Sequence, residues 1–106
     1  MVNDILKASG VQHRRGRFTS PPAGTYAVFF DNVTLDGPDG HPEWLENHSV
    51  MVELYEPAPD DAAEAAVEAA IAAAGLEYEK QDRYWIQTEQ MYQVIYEFSY
   101  TEKRRF

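Results

Sequence analysis

The 106-residue chain contains no cysteine. This absence excludes a disulfide framework, a thiolate nucleophile and a cysteine-based zinc site. The chain also lacks any apolar run close to the roughly 20 residues that a membrane-spanning helix needs. It begins Met-Val-Asn-Asp, with no basic residue ahead of an apolar stretch, so we expect no signal peptide and no membrane partner.

Positive charge is missing from the middle of the chain. No Lys or Arg lies between Asp31 and Glu79, a stretch that holds thirteen of the eighteen acidic residues. The formal net charge of −9 argues against nucleic acid or an anionic membrane as a ligand of the whole molecule. The clustering is explained either by solubility and chance or by basic ends that contact the acidic middle of a neighbouring subunit. The second interpretation predicts a subunit interface formed by Arg14, Arg15, Arg17, Lys103, Arg104 and Arg105.

Residue patterns typical of catalysis are also missing. The three histidines, His13, His41 and His48, are scattered, and Ser49 has no flanking glycines of a nucleophile turn. The glycines of residues 37–40 fit neither nucleotide-binding fingerprint, and the carboxylates are too numerous for one pair to stand out. We therefore predict a protein that is not an enzyme and has no cofactor and no metal. A cation bound near His41 is the alternative to a solvated turn there.

Hydrophobic periodicity predicts an α+β domain over residues 1–106. Residues 91–101 have a side-chain period of two, with Tyr92, Val94, Tyr96, Phe98 and Tyr100 on one face and mostly polar residues on the other, which indicates a half-buried antiparallel strand. Further strands are predicted over residues 25–31 and 48–56, and residues 76–82 and 84–88 form either one interrupted strand or two short ones. Residues 11–24 and 32–47 are predicted as loops because turn residues are frequent there. The aromatic side chains are expected in the core or at a subunit interface, the alternative being a platform for stacking nucleic-acid bases.

Two helices complete the prediction. Residues 60–74 form the main helix, with Asp61 and Glu64 as a capping box and Gly75 as the stop. Residues 3–9 form a short helix capped by Asn3 and ended by Gly10. The predicted fold is an antiparallel sheet of about four strands, with the main helix on one face and the short N-terminal helix beside it.

Several segments together resemble a known family. They include Asn3-Asp4-Ile5-Leu6-Lys7, Gly16-Arg17-Phe18, Tyr26-Ala27-Val28-Phe29-Phe30-Asp31, Val52-Glu53-Leu54-Tyr55, Gly75-Leu76-Glu77-Tyr78-Glu79-Lys80 and the stretch from Gln87 to Phe98. Their order covers nearly the whole chain and is similar to that of the tail terminator, or tail completion, proteins of long-tailed phages and prophages. The alanine-rich helix and the length of the segment 32–47 depart from the family.

The resemblance implies a structural role without an active site. Such a protein forms a ring, typically of six subunits, on the last ring of the tail tube. It ends tube growth and presents a surface to the head connector, while DNA passes through without specific binding. Its expected location is the head-proximal end of the phage tail, after a stay in the host cytoplasm. We further expect an acidic loop that faces the lumen or a partner, formed by Asp36, Asp39, Glu43 and Glu46.

A second function class is compatible with the same charge. A small acidic monomer can imitate DNA and inhibit a nucleic-acid-binding protein. The two classes differ in assembly, because an inhibitor stays monomeric whereas a terminator joins the ends of tubes. An enzyme on a similar sheet is the third class, and no group of residues in the sequence supports it.

Overall fold

The structure, a computed structural model, describes residues 1–37 and 43–105, with only the backbone described at residues 43, 44, 104 and 105. Two helices and six strands are present in this part of the chain. In chain order they are α1 (Val2–Ser9), β1 (Gln12–Arg15), β2 (Tyr26–Asp36), β3 (Glu43–Glu56), α2 (Asp61–Ala73), β4 (Glu79–Lys80), β5 (Tyr84–Ile86) and β6 (Met91–Arg105). The α+β class, the main helix and the short N-terminal helix are confirmed.

The six strands form one mixed sheet in the order β1-β2-β3-β6-β4, and β5 also pairs with β6. β1 runs parallel to β2, while the other pairings are antiparallel. The prediction of an antiparallel sheet of about four strands was therefore wrong in two respects, because the sheet is mixed and has six described strands. Of the two alternatives for residues 76–88, the structure has two short strands, each of which pairs with β6.

The parallel edge strand β1 lies inside the segment predicted as a loop over residues 11–24. Its sequence, Gln12-His13-Arg14-Arg15, has no apolar alternation, so periodicity could not reveal it. The strand is held by pairing with residues 26–29 and by the Gln12 side chain, whose amide donates to the carbonyl oxygens of Ala23 (3.0 Å) and Thr25 (3.2 Å).

The prediction of a long loop over residues 32–47 was also wrong. β2 continues to Asp36 and β3 already begins at Glu43, and the two pair in register from Asp36↔Leu45 down to Tyr26↔Tyr55. Val33 and Leu35 alternate with polar residues in a strand-like manner, a signal that the nearby Gly and Pro residues obscured. β2 and β3 thus occupy most of this segment, and residues 38–42, which lie between them, are outside the described part.

Both helices end as predicted but begin differently. Gly10 and Gly75 end them with positive φ angles of 77° and 78°, a conformation that glycine adopts without steric cost. α2 is capped by Asp60 rather than Asp61, because the Asp60 carboxylate accepts a hydrogen bond from the Ala63 amide (3.0 Å). α1 has no side-chain cap, so the cap predicted at Asn3 was wrong.

One face of the sheet and both helices enclose the core. The period of two in β6 is confirmed, since alternate side chains from Val94 to Phe98 are buried there. Both helices contribute buried aliphatic residues to the same cluster. The core cluster consists of Val2, Ile5, Leu6, Ala27, Phe29, Val50, Val52, Leu54, Val67, Ile71, Val94, Tyr96 and Phe98. Within residues 1–37 and 43–105, neither helix combines the length and the apolar character needed to cross a membrane.

Truncating Ile71, which is 0% exposed, tests whether α2 is held by this core. We expect Ile71→Ala to lower the free energy of unfolding by about 2–5 kcal/mol, because it removes apolar contacts and leaves a cavity. The exposed neighbour Ala72 provides the matched control, and Ala72→Ser should cost less than about 1 kcal/mol. Urea denaturation followed by circular dichroism measures both values. Equal losses in the two variants would show that α2 does not depend on the core.

Candidate functional site

The sheet extends beyond its helices as a three-stranded arm. We define the arm as residues 32–36 of β2, 43–49 of β3 and 99–105 of β6, which pair in continuous register. Among the described residues, β1 pairs with β2 only as far as Phe29, and β4 pairs with β6 only at Tyr96 and Glu97. Both outer edges of the arm therefore carry backbone N–H and C=O groups that no described strand pairs. The longest dimension of the molecule is 52 Å.

Apolar side chains are exposed along the arm and at its base. Val33 and Leu35 share the face of the sheet that bears the helices and are 44% and 46% exposed. Leu45 on the opposite face is 39% exposed, and Phe30, at the base of the arm, is 40% exposed. Single apolar residues on a surface are ordinary, but several of them beside unpaired strand edges are typical of a contact surface.

A charged cluster surrounds His48 on the helix-side face of the arm. The His48 ring is 7% exposed and stacks on Tyr100, with 4.3 Å between ring centroids and 9° between the planes. Its Nδ1 lies 2.9 Å from both carboxylate oxygens of Asp31. Its Nε2 lies 2.7 Å from Glu46 Oε1 and 3.8 Å from Glu102 Oε2. Burial opposes the charged ring, but the hydrogen bonds to Asp31 and Glu46 outweigh it and raise the pKa of His48.

The basic residues predicted at a subunit interface lie at two separate places. Arg14 and Arg15 are on β1, where the Arg15 guanidinium donates to the Asp31 carbonyl oxygen (3.2 Å), and Arg17 follows that strand. Lys103 lies near the far end of the arm, where Leu45 of β3 pairs with Lys103 of β6 on one side and with Asp36 of β2 on the other. Arg15 pairs with Phe29, seven residues before Asp36, so the two groups are about 23 Å apart along the strands. Arg104 and Arg105 extend β6, and their side chains are outside the described part.

The acidic residues predicted in a loop fall mostly on the arm. Asp36 ends β2 and accepts a hydrogen bond from the Asn47 side chain (2.7 Å). Glu46 lies in β3 beside His48, and Glu43 begins that strand with only its backbone described. Asp39 is outside the described residues. The arm thus carries acidic and basic residues together, which the separation of these residues in sequence did not indicate.

A second cluster ties α2 to the strands at the other end of the sheet. Arg83 Nη2 lies 2.6 Å from Glu64 and 2.9 Å from Asp61, and its Nε lies 3.4 Å from Glu56. Lys80 contacts both Glu64 and Glu68 at 2.9 Å. The buried Tyr96 hydroxyl also donates to Glu68 (2.8 Å). These contacts connect α2, β4 and β6, which explains why charged residues occupy the inner face of the helix.

The two buried acids of this cluster differ in protonation. Burial, together with a hydrogen bond shared with Glu64, raises the pKa of Glu56 to about 7. Burial also acts on Glu64, but hydrogen bonds from Lys80 and Arg83 outweigh it and lower its pKa to about 2. Glu56 Oε1 accepts from the Asp60 amide (3.3 Å), while Oε2 has no hydrogen-bond partner among the described atoms. Two neighbouring carboxyl groups with different pKa values are typical of a catalytic acid and base. Glu56 is 0% exposed, however, so a substrate cannot contact it.

Neither cluster was predicted from the sequence, although one signal of a buried polar cluster is present there. His48 and Glu56 continue the alternation of Val50, Val52 and Leu54, so they share the buried face of β3. Glu64 lies three residues before Val67 and belongs to the same helical stripe. Charged residues in phase with apolar ones are the pattern that predicts a buried polar cluster.

An open groove of about 480 Å³ runs beside the base of the arm. Glu77, Tyr78, Glu79, Glu97 and Ser99 are among its lining residues. The acidic side chains of this groove are open to solvent, and we assign them no binding or catalytic role.

Comparison with known proteins gives a likeness in fold. No protein-family model and no curated protein sequence matches the chain. A chain from the virion of a native gene transfer agent particle is similar in structure, with a TM-score of 0.57 and 16% sequence identity over 90% of this chain and 81% of that one. A second solved structure has a TM-score of 0.56 and 16% identity over 97% of this chain and 87% of its own. The arrangement of helices and strands is therefore shared with a virion chain.

Replacing Glu56 tests its protonation. The fold raises its pKa from 4.5 to about 7, so its contribution to stability is complete below pH 4.5 and is lost as pH rises through 7. We expect Glu56→Gln to remove this loss and to exceed the wild type in stability at pH 8 by an amount on the order of 1–3 kcal/mol. Urea denaturation between pH 5 and 8 measures the slope, and Glu77→Gln at an exposed site is the control. Parallel slopes for wild type and Glu56→Gln would contradict a protonated Glu56.

Proposed function

We propose that this protein is a phage structural protein that caps the tail tube as a ring, ends tube growth and forms the surface that joins the head connector. The observation that carries the proposal is the arm, whose outer edges no described strand pairs and which exposes Val33, Leu35 and Leu45, on a fold shared with a chain of a gene transfer agent virion. Its partners are further copies of itself, six in the assembled ring, the tail tube protein and the connector.

The arm supplies the kind of contact that closes a ring. Its two free edges belong to different strands, β2 and β6, so the edge of one subunit can pair with the other edge of the next. Such a contact is heterologous, and it forms a closed ring when the rotation between neighbours returns to the start. Main-chain hydrogen bonds provide the pairing, and burial of Val33 and Leu35 adds apolar area.

Charge favours this pairing over the alternatives. Asp36 on β2 and Lys103 on β6 occupy the same level of the arm and the same face of the sheet, because both are in register with Leu45. When the β6 edge of one subunit meets the β2 edge of the next, Lys103 approaches acidic residues of its neighbour. Two β2 edges, in contrast, each carry Asp36 and no basic residue in the arm, so they offer no opposite charge to each other. Of the basic residues predicted at the interface, we assign Lys103, Arg104 and Arg105 to this contact, whereas Arg14, Arg15 and Arg17 lie on or just after β1, away from it.

The net charge suits a channel that conducts DNA. A lumen lined with carboxylates repels phosphates, so DNA moves through without being bound. Of the acidic residues predicted to face the lumen or a partner, we assign Asp36 to the contact with Lys103 of a neighbour, and Glu46 contacts His48 on the opposite face of the arm. The DNA-mimic inhibitor is the alternative function, and it requires a monomer that binds a basic protein.

Deleting the gene from the particle-producing strain tests the role directly. We expect tails of abnormal length that are not joined to filled capsids in electron micrographs, because nothing ends the tube. Complementation with Leu35→Asp should fail, since a charge on the arm opposes burial against a neighbour. Lys7→Glu on α1 should restore normal particles and is the control. Normal tails joined to filled capsids in the deletion strain would overturn the proposal, and a stable complex of the monomer with a DNA-binding protein would support the inhibitor.

Reversing charge at the end of β6 tests the contact between subunits. We expect replacement of both Arg104 and Arg105 by glutamate to weaken assembly on tail tubes, because the altered edge repels the acidic edge of its neighbour. Analytical ultracentrifugation of tubes mixed with the protein measures the bound fraction, and raising the salt concentration should reduce the difference from wild type. An unchanged bound fraction at low salt excludes charge pairing at that end as the cause of assembly.

A further inference from the structure

We propose that Glu46, His48 and Glu102 form a binding site for a divalent transition-metal ion of the zinc type. Each residue offers one ligand atom, and these three atoms lie within 4.8 Å of one another. Ligands around zinc at about 2.0–2.2 Å are separated by roughly 3.3–3.6 Å in tetrahedral geometry. Small rotations of the two carboxylates therefore bring all three atoms to bonding distance.

Strand pairing fixes the positions of the three residues. Glu46 and His48 are two residues apart on β3 and point to the same face of the sheet. Glu102 lies on β6 directly opposite Glu46 in the antiparallel register. Their backbones therefore belong to a paired part of the arm, which gives a more precise site than a loop does.

The orientation of the His48 ring points to a ligand at Nε2. Asp31 holds Nδ1 through two contacts of 2.9 Å, which places a proton on that nitrogen. Nε2 lies 2.7 Å from Glu46 Oε1 and 3.8 Å from Glu102 Oε2, so the ring directs its second nitrogen at both carboxylates. A bound metal ion would displace any proton that Nε2 shares with Glu46 and accept the lone pair of that nitrogen. In metal sites, a histidine that binds the ion through one ring nitrogen commonly donates its other N–H to a carboxylate, which fixes the orientation of the ring.

The surrounding charge favours a cation at the same point. Glu46 and Glu102 face each other across two strands, an arrangement that is destabilising for like charges. Asp31 adds a third carboxylate around the same ring. One imidazole with two carboxylates suits zinc, whereas calcium and magnesium prefer oxygen ligands alone. Three protein ligands leave a fourth position for water.

Isothermal titration of the EDTA-treated, dialysed protein with zinc chloride tests the site. We expect binding of one zinc ion per chain and a rise in the melting temperature. His48→Gln and Glu102→Gln should each weaken zinc binding at least about tenfold, and Asp31→Asn about 10–100-fold. Glu102 is 47% exposed in its side chain, so its replacement keeps the test valid if His48→Gln fails to fold. The ¹⁵N resonance of His48 Nε2 should shift on zinc addition.

Matched variants separate this site from adventitious binding. The double replacement of His13 and His41 by Gln should bind zinc as the wild type does, and so should Glu77→Gln at an exposed site. The proposal is overturned if no zinc binds at millimolar concentration, or if Glu102→Gln and His48→Gln bind it as tightly as the wild type. These outcomes do not depend on ring formation, so the site and the proposed function fail or succeed separately.

Discussion

The antiparallel pairing of β3 with β6 positions the residues of both the helix-covered core and the arm. The two strands remain in register over the full length of β3, from Glu56↔Tyr92 beneath α2 to Glu43↔Arg105 in the arm. Because side chains alternate, a slip of one residue would turn Val94 and Tyr96 from the core to solvent. The same slip would remove Tyr100 from the His48 ring. Burial in the core therefore fixes the register that brings the residues around His48 together.

The core and the arm are stabilised in different ways. Near the helices, burial of aliphatic and aromatic side chains provides the favourable free energy, and the contacts of Arg83 and Lys80 with Glu64 keep α2 at one position. In the arm no described helix covers the sheet, and His48 with its carboxylates replaces an apolar core on one face. The arm adds little burial of its own, which is the expected property of a surface that gains burial from a neighbour.

The sequence predicted the elements whose side chains meet the core and missed those that do not. The alternation from Tyr92 to Tyr100 and the helix that ends at Gly75 were read correctly, because burial imposes a period on such segments. β1 has no buried period, since it is a short edge strand of polar residues paired with a distant partner. The continuation of β2 through Val33 and Leu35 was masked by turn residues that follow Asp36. The His48 cluster depends on which residue of β6 lies opposite Glu46, and a single sequence does not give that register.

The position of β6 within the sheet has a consequence for how the protein folds. β6 lies between β3 and β4, so it inserts into the middle of the sheet although it follows the other five described strands in sequence. Until β6 has been synthesised, the inner edge of β3 has no partner, and α2 has only part of its packing surface. Long-range strand pairing of this kind slows folding, and the nascent chain exposes an apolar edge during that interval. The sheet is therefore complete only when β6 joins strands that precede it in sequence, and any delay before that step prolongs the exposure of the core residues that β6 covers.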